Sequence, residues 1–569
     1  MSLRKRALNS FQNAQTSVWH SSLSTDTVNM EKLIVQTQNG QVRGGIRHSI
    51  EGYDYYSFLG IPYAKPPIGD LRFKDPEPVE DWTGIRDATK YGNMCWQFFA
   101  STQTYSGSND CLYINVFAKS MKNIDKLKPV MVWVHGGGFM FGSGDDANFG
   151  PDYLLRKDII LVTFNYRLGI FGFLNLEDEA APGNQGLKDQ ILAFKWVQAN
   201  IAKFGGDPNN VTAFGESAGA ICIQLLALSP MGKGLFNKMI CQSGSIFNSW
   251  ARLKNPKKYT FMLCNFLGKY YTDPKQIVQF LNTLDSEKII RAQEQVRKSI
   301  EKMLGIWIYC PGIDSESPNP VVPVAPEKSI LKGIQMPLLM GHNNREGLLL
   351  LMDPHSFAAL KKEELIRIDR NFSKIINDRA VETLKGYGLT IKDLKQMYFG
   401  DKKISIDEID AFVDLQGDFN FLESIHKLAK IQLENNTSPT YFYVFSYDKE
   451  ISTTRAVSTL QLKGACHFDE VEFLFNMNLR QQLGFKPYKK GTDSYKVMEI
   501  MTELWTNFAT YGTPTPAKSE LIHILWEPLK DGMHLRYLNI DTNVKMDTMT
   551  NIEQKFLSAK SSLQKNTKL

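Results

Sequence analysis

The pentapeptide G-E-S-A-G at 215–219 has the residue types of a reactive serine held on a sharp turn. It follows the apolar run 211–214 and opens onto a second apolar run at 220–226. A strand, a tight turn and a helix in that order would make Ser217 project its hydroxyl from a strained backbone. Glycines two residues before and after the serine leave room that side chains would fill. The segment therefore predicts a nucleophile elbow at Ser217.

A serine hydroxyl is a poor nucleophile at neutral pH, so it needs a base, usually a histidine that a carboxylate orients. Among nine histidines, His467 stands in a loop after the apolar run 441–447, and Glu346 follows the short apolar run 337–340. Loops that follow strands are where α/β sheets place catalytic groups. The chain order Ser217, Glu346, His467 is the α/β-hydrolase order of nucleophile, acid and histidine.

A serine nucleophile also needs hydrogen-bond donors for the oxyanion that forms during attack. The segment H-G-G-G at 135–138 follows the apolar run 130–134, and its glycines leave backbone N–H groups unobstructed. It matches a known oxyanion motif whose partner donor is the N–H after the nucleophile, here Ala218. The alternative is a flexible glycine turn, which the preceding buried strand makes the weaker interpretation.

These residues need a scaffold of strands and helices. The uninterrupted apolar runs at 130–134, 159–164 and 211–214 are typical of strands covered on both faces in a largely parallel sheet. Residues 350–430 have a mainly helical pattern and predict a helical cap over that sheet. We therefore expect one α/β-hydrolase domain at 31–569, preceded by a separate tail at 1–30.

Composition excludes several classes of protein. The 569 residues are 43% hydrophobic and 22% charged with a net charge of +6, which is ordinary for a soluble globular protein. Basic residues form no long cluster beyond the N-terminus, so no nucleic-acid partner is expected. No apolar run of about 18 residues predicts a membrane span. The basic N-terminus lacks a following apolar region, so the seven cysteines are read as thiols of an intracellular, cytoplasmic protein.

From about residue 33 to 545 the chain resembles the type-B carboxylesterases of the carboxylesterase and cholinesterase family, and it is most similar to the insect intracellular α-esterase group. The segments that carry the resemblance are F-L-G-I-P-Y-A at 58–64, D-C-L-Y-I-N at 110–115, N-Y-R-L-G at 165–169, G-N-Q-G-L-K-D-Q at 183–190, Q-S-G at 242–244 and W-T-N-F-A at 505–509.

The resemblance implies a role for each matching residue. It makes Ser217, Glu346 and His467 the catalytic triad. It makes Gly137, Gly138 and Ala218 the oxyanion donors. Ser243 matches the serine that lies beside the acid in the family. Cys95 and Cys111 match the family's first disulfide pair, although an intracellular location would leave them reduced.

The implied activity is hydrolysis of small, apolar carboxylic esters of lipid or xenobiotic origin, with no metal or organic cofactor and with organophosphates modifying the same serine. Choline esters are not expected, because Ser101 stands where choline-hydrolysing relatives carry a tryptophan. Two alternatives remain. One is a non-catalytic binding protein of the same fold, and the other is a hormone-type esterase, whose secreted members have glutamine at the position of Glu216.

The N-terminal tail has its own pattern. Apolar residues at 3, 7, 11, 14 and 18 would share one helix face, and basic residues stand at 4–6. A basic amphipathic helix over residues 1–25 would make a peripheral contact with a membrane or lipid droplet. Its Ser-rich, acid-poor composition also fits a mitochondrial transit peptide, and a disordered tail is the third interpretation.

Overall fold

The computed structural model describes most of the chain. The described residues are 33–121, 126–253, 255–300, 308–352, 360–376, 378–435, 438–458, 462–530 and 534–566. The N-terminal tail, with its predicted amphipathic helix, lies outside them.

The strands are β1 Ile34–Gln36, β2 Gln41–Arg43, β3 Gly45–His48, β4 Asp54–Pro62, β5 Ile85–Asp87, β6 Gln97–Phe99, β7 Thr104–Ser106, β8 Tyr113–Ala118, β9 Lys128–Val134, β10 Ile160–Phe164, β11 Gly206–Glu216, β12 Lys238–Gln242, β13 Leu338–Asn343, β14 Thr440–Phe445, β15 Leu535–Ile540 and β16 Lys545–Met549.

The α-helices are α1 Asp146–Phe149, α2 Gly169–Phe173, α3 Gln185–Asn200, α4 Ala218–Leu228, α5 Pro256–Phe266, α6 Pro274–Asn282, α7 Ser286–Ser299, α8 Pro326–Ser329, α9 Lys362–Arg370, α10 Phe372–Ile375, α11 Asp378–Tyr387, α12 Ile391–Phe399, α13 Ile409–Gly417, α14 Glu423–Asn435, α15 Thr453–Ser458, α16 Asn478–Gln482, α17 Asp493–Tyr511 and α18 Ile552–Asn566. None of these described helices is long and apolar enough to cross a membrane.

One large sheet organises the described residues. Its strand order is β16-β15-β14-β13-β12-β11-β9-β10-β8-β4-β3. Every pairing from β10 through β15 is parallel, and the pairings at both edges are antiparallel. The order reverses at β9, which has β10 on one side and β11 on the other. This mostly parallel sheet with helices on its faces confirms the predicted fold class.

Both faces of the sheet are buried at its central strands, as the apolar runs predicted. In β9, Val130, Val132 and Val134 point into one hydrophobic cluster, whereas Met131 and Trp133 belong to the cluster on the opposite face. All five side chains are fully buried. Alternate residues of a strand point to opposite faces, so an uninterrupted apolar strand is the sequence consequence of double burial.

The predicted cap at 350–430 is helical where it is described, and it forms a third hydrophobic cluster of its own. Helices α9 to α13 contribute to this cluster together with Ile552 and Phe556 of α18. The long helical segment is interrupted by a π-helical turn at Asp418–Leu422. The cap is therefore packed against helix α18.

A buried ion pair joins the loop after β10 to helix α3. Arg167 and Asp189 are 2% and 0% exposed at their side chains, and Nη2 lies 2.7 Å from Oδ1. Arg167 Nε and its backbone N–H both donate to Oδ2 of the same carboxylate, at 2.8 and 3.0 Å. Two buried charges are tolerated here because each has several hydrogen-bond partners.

We expect Asp189→Ala to destabilise the fold by about 3–5 kcal/mol, because it leaves the guanidinium of Arg167 buried without its carboxylate. Urea unfolding monitored by tryptophan fluorescence measures the change. The control is Glu287→Ala, which breaks the exposed Arg291–Glu287 pair and should cost no more than about 1 kcal/mol. Equal losses in the two variants would contradict a structural role for the buried pair.

Candidate functional site

Neighbouring parallel strands deliver the predicted site residues to one edge of the sheet. The loop 135–142 follows β9, Ser217 follows β11, and Ser243 follows β12. Glu346 comes three residues after β13, and His467 stands in the long connection after β14. These five strands are neighbours in the order β14-β13-β12-β11-β9. Parallel strands end at a common edge, so residues far apart in sequence meet there.

Ser217 occupies a strained turn between β11 and α4. Its φ and ψ are 55° and −122°, a backbone conformation that non-glycine residues rarely adopt. A Cβ atom added to Gly215 would lie 2.6 Å from the Val134 carbonyl oxygen, and one added to Gly219 would lie 2.0 Å from it. Both glycines are therefore required by the close approach of the elbow to the end of β9.

The loop 135–142 turns with positive φ at Gly137, 96°, and at Gly138, 58°. Within the described residues, the backbone N–H groups of Gly137, Gly138 and Ala218 donate no hydrogen bond. Ala218 is the first residue of α4, where an N–H has no partner inside the helix and the helix dipole is positive. These groups are suited to receive an anionic oxygen beside Ser217.

His467 is bound firmly on one side of its ring. Its Nδ1 lies 2.6 Å from Oε2 of Glu346, and both side chains are buried. The other carboxylate oxygen of Glu346 accepts hydrogen bonds from the Ser243 hydroxyl at 2.5 Å and from the Asn343 backbone N–H at 2.7 Å. The carboxylate cannot rotate without losing these bonds, so it fixes the orientation of the imidazole.

The second ring nitrogen of His467 faces another carboxylate rather than the serine. Nε2 lies 2.9 Å from Oε1 of Glu216, but no well-aligned hydrogen bond forms between them. Within the described part of the chain, no hydrogen bond joins the Ser217 hydroxyl to the imidazole. Bonds between nucleophile and base are often long until substrate is bound. The sequence analysis gave Glu216 no contact with the triad, so its contact with His467 is a new feature.

Buried charges shift the protonation of this cluster. Burial lowers the pKa of His467, but the carboxylates of Glu216 and Glu346 outweigh it and hold that pKa well above its usual range. Burial raises the pKa of Glu216, and His467 only partly offsets this. The cluster therefore keeps its proton to a higher pH than an isolated imidazole would.

Glu470 is a third buried carboxyl group near the histidine, and the sequence reasoning missed it. It accepts hydrogen bonds from Asn343 Nδ2 at 2.5 Å and from Gln242 Nε2 at 3.1 Å. Burial and the nearby carboxylates raise its pKa to about 8, so it is neutral at pH 7. Its place three residues after His467 in an E-rich segment was the available signal.

Aromatic rings surround the charged groups. The ring of Phe421, in the π-helical turn, lies 4.5 Å from the His467 ring. Trp250 lies 6.0 Å from Phe421 and 6.2 Å from Phe139. Trp250 is 6% exposed and donates from Nε1 to the Asn420 carbonyl oxygen at 2.9 Å. The site is therefore apolar around a small set of polar groups.

Cys95 and Cys111 are joined by a disulfide bond, so the expectation that all seven cysteines are thiols is wrong for this pair. The other described cysteines are buried thiols. The bond connects the segment before β6 to the segment before β8. The bond therefore lies next to the β6–β7 ribbon, which contacts the loop 135–142 through Gln97 and Gly142.

Comparison with known proteins agrees with this geometry. The sequence pattern of the carboxylesterase family matches residues 31–558. The chain is 35% identical to a juvenile hormone esterase of Tribolium castaneum over 539 residues, which cover 89% of this chain and 88% of the relative. It is 33% identical to esterase B1 of Culex pipiens over 520 residues, which cover 88% and 92%.

A crystal structure of juvenile hormone esterase from Manduca sexta, with OTFP covalently attached, is similar with a TM-score of 0.78 and 31% identity. The match covers 94% of this chain and 99% of that one. The chain therefore belongs to the carboxylesterase family and is a carboxylic-ester hydrolase with the α/β-hydrolase fold.

Proposed function

We propose that the protein is a serine carboxylesterase that hydrolyses apolar esters through an acyl-enzyme on Ser217. The observation that carries the proposal is the meeting of three parts at one sheet edge. These are a serine on a strained elbow, an imidazole bonded to Glu346 at 2.6 Å, and a set of N–H groups without partners among the described residues.

In the first half of the reaction, Ser217 Oγ bonds to the ester carbonyl carbon and its proton passes to Nε2 of His467. The carbonyl oxygen becomes an oxyanion, which the N–H groups of Gly137, Gly138 and Ala218 stabilise. His467 then gives the proton to the departing alkoxide, and the C–O bond to the alcohol breaks. Glu346 keeps the Nδ1 proton in place and stabilises the imidazolium.

In the second half, water replaces the alcohol. His467 removes a proton from water, the resulting oxygen attacks the acyl carbon, and Ser217 leaves with that proton restored. Both halves use the same donors and the same base. An organophosphate would phosphorylate the same oxygen of Ser217, because its phosphoryl P=O oxygen fits the same N–H donors and its leaving group departs as the alcohol does.

The substrate class follows from the walls of the site. The rings of Phe139, Trp250 and Phe421 favour an apolar acyl or alcohol group. The negative charges near His467 disfavour anionic esters. Esters of lipid or xenobiotic origin, small enough to enter beside Ser217, fit both conditions.

A hormone-type ester is the second candidate, since relatives named juvenile hormone esterase match this chain over most of its length. Such a substrate is also an apolar ester. Glu216 weighs against it, because glutamine is the residue that the family resemblance gives for secreted hormone esterases.

We expect Ser217→Ala to lower kcat for a short-chain nitrophenyl ester by about four to six orders of magnitude, because the nucleophile is removed while the donors remain. The matched control is Ser229→Ala, which removes a buried serine at the other end of α4 and should leave kcat unchanged. Full turnover in Ser217→Ala would refute the proposed mechanism.

The pH profile tests the contact between Glu216 and His467. The base must be unprotonated, so kcat/KM falls as pH falls through the raised pKa of His467, and this acid limb should lie above the usual histidine range. Glu216→Gln removes a charge that raises that pKa, so the acid limb should move to lower pH.

Glu470→Gln is the control for the pH measurement. Glu470 is bonded to Asn343 and Gln242 rather than to the imidazole, so Glu470→Gln should move the limb less than Glu216→Gln does. An unshifted limb in Glu216→Gln, or an equal shift in Glu470→Gln, would contradict the assigned electrostatics.

A further inference from the structure

We infer that Gln97 is a positioning residue for the oxyanion hole, and this inference rests on the proposed function. Gln97 is the first residue of β6, which forms a two-stranded ribbon with β7 outside the large sheet. It lies 45 residues from the glycine it binds and had no place in the motifs. Its side chain is 2% exposed, so its hydrogen bonds are made away from water.

The amide of Gln97 holds the end of the loop 135–142 from two directions. The backbone N–H of Gly142 donates to Gln97 Oε1 at 2.8 Å, and Gln97 Nε2 donates to the Gly142 carbonyl oxygen at 3.0 Å. The second N–H of the amide reaches the Cys95 carbonyl oxygen at 3.0 Å. Only a group that accepts and donates side by side can make this pair of bonds.

The clamped residue is connected directly to a proposed oxyanion donor. Phe141, which precedes Gly142, donates its backbone N–H to the Gly137 carbonyl oxygen at 3.2 Å. A Cβ atom on Gly137 would lie 2.0 Å from the Phe141 carbonyl oxygen, so the two backbone segments are in close contact. A shift of Gly142 would therefore move the peptide group between Gly137 and Gly138, which presents the Gly138 N–H.

Other contacts fix the rest of the loop and leave this end to Gln97. At the start, the Tyr166 hydroxyl donates to the His135 carbonyl oxygen at 2.9 Å. In the middle, the Gly169 N–H donates to the Phe139 carbonyl oxygen at 2.7 Å. Beyond it, Gly144 donates to Asn165 Oδ1 at 2.7 Å. Gln97 is the side chain that bonds to both backbone groups of Gly142.

The segment that carries Gln97 is itself anchored. Cys95, two residues earlier, is bonded to Cys111, which leads into β8. The disulfide bond therefore connects the segment that carries Gln97 to strand β8 of the large sheet. A long, flexible loop could not hold the donors to the fraction of an ångström that oxyanion stabilisation needs.

The test uses Gln97→Glu and Gln97→Met. The carboxylate keeps an acceptor but places an oxygen against the Gly142 carbonyl, and the thioether makes neither bond. We expect kcat for a nitrophenyl ester to fall by about tenfold to a hundredfold in both variants, with KM changed by less than about threefold. If Gln97→Glu does not fold, Gln97→Met gives the result.

A reactive ketone reports on the oxyanion hole itself. With an alkyl trifluoromethyl ketone, Ser217 Oγ bonds to the carbonyl carbon, its proton passes to His467, and the carbonyl oxygen becomes an oxyanion facing the donors. Binding of this ketone should weaken in parallel with kcat/KM. Binding of the alkyl alcohol of the same chain length, which forms no oxyanion, should not change.

Gln432→Glu is the matched control. Gln432 is a buried glutamine that also bonds to both backbone groups of one residue, Ile334. Its Oε1 accepts from the Ile334 N–H at 2.6 Å and its Nε2 donates to the Ile334 carbonyl oxygen at 3.3 Å, near the opposite ends of the strands. The Gln432→Glu variant should lose about as much stability as the Gln97 variants do, and its kcat should stay at the wild-type value.

Unchanged kcat and ketone affinity in both Gln97 variants would overturn the inference. An equal kcat loss in Gln432→Glu would overturn it too, because the effect would then be general destabilisation. Failure of the proposed function looks different: the wild-type protein itself would bind the ketone no more tightly than the Ser217→Ala variant does.

Discussion

The site depends on one steric constraint, the contact between the nucleophile elbow and the carbonyl at the end of β9. Gly215 and Gly219 can both approach the Val134 oxygen only because they lack a Cβ. That approach sets the spacing between Ser217 and the loop 135–142, and α4 begins directly after the serine, at Ala218. Strain at Ser217 is supported by the fully buried sheet on either side of it.

A second constraint is electrostatic. The carboxyl groups of Glu216, Glu346 and Glu470 are buried around one imidazole, and together they would carry more negative charge than a single imidazolium offsets. The structure resolves this by raising the pKa of Glu470 and Glu216 and by holding a proton on the His467 cluster. The hydrogen bonds to Glu346 from Ser243 and Asn343 hold that carboxylate in position against Nδ1.

Local pattern accounts for what the sequence predicted well. Short segments of sequence contain the glycines of the elbow, the apolar runs of β9 and β11, and the three triad residues in their chain order. The contacts missed by the sequence are long-range. Gln97 meets Gly142 across 45 residues, and its type alone does not distinguish it from other buried glutamines.

The π-helical turn at Asp418–Leu422 was also not predicted, although the surrounding helix was. Its pattern is apolar and helical, but the Asn420 carbonyl oxygen accepts from Asn248 at 2.5 Å and from Trp250 at 2.9 Å. Side chains from a distant loop thus satisfy a backbone group that a regular helix would bond internally. Such a compensation is visible only when the tertiary partners are known.

The central claim is that Ser217 is the nucleophile and His467 its base. Its most direct test is labelling with a fluorophosphonate followed by peptide mass spectrometry, on the wild-type protein and on His467→Gln. The account predicts one adduct per chain, on the peptide that contains Ser217, and a labelling rate reduced by orders of magnitude in His467→Gln. An adduct on another serine, or equal labelling rates in the two proteins, would contradict it.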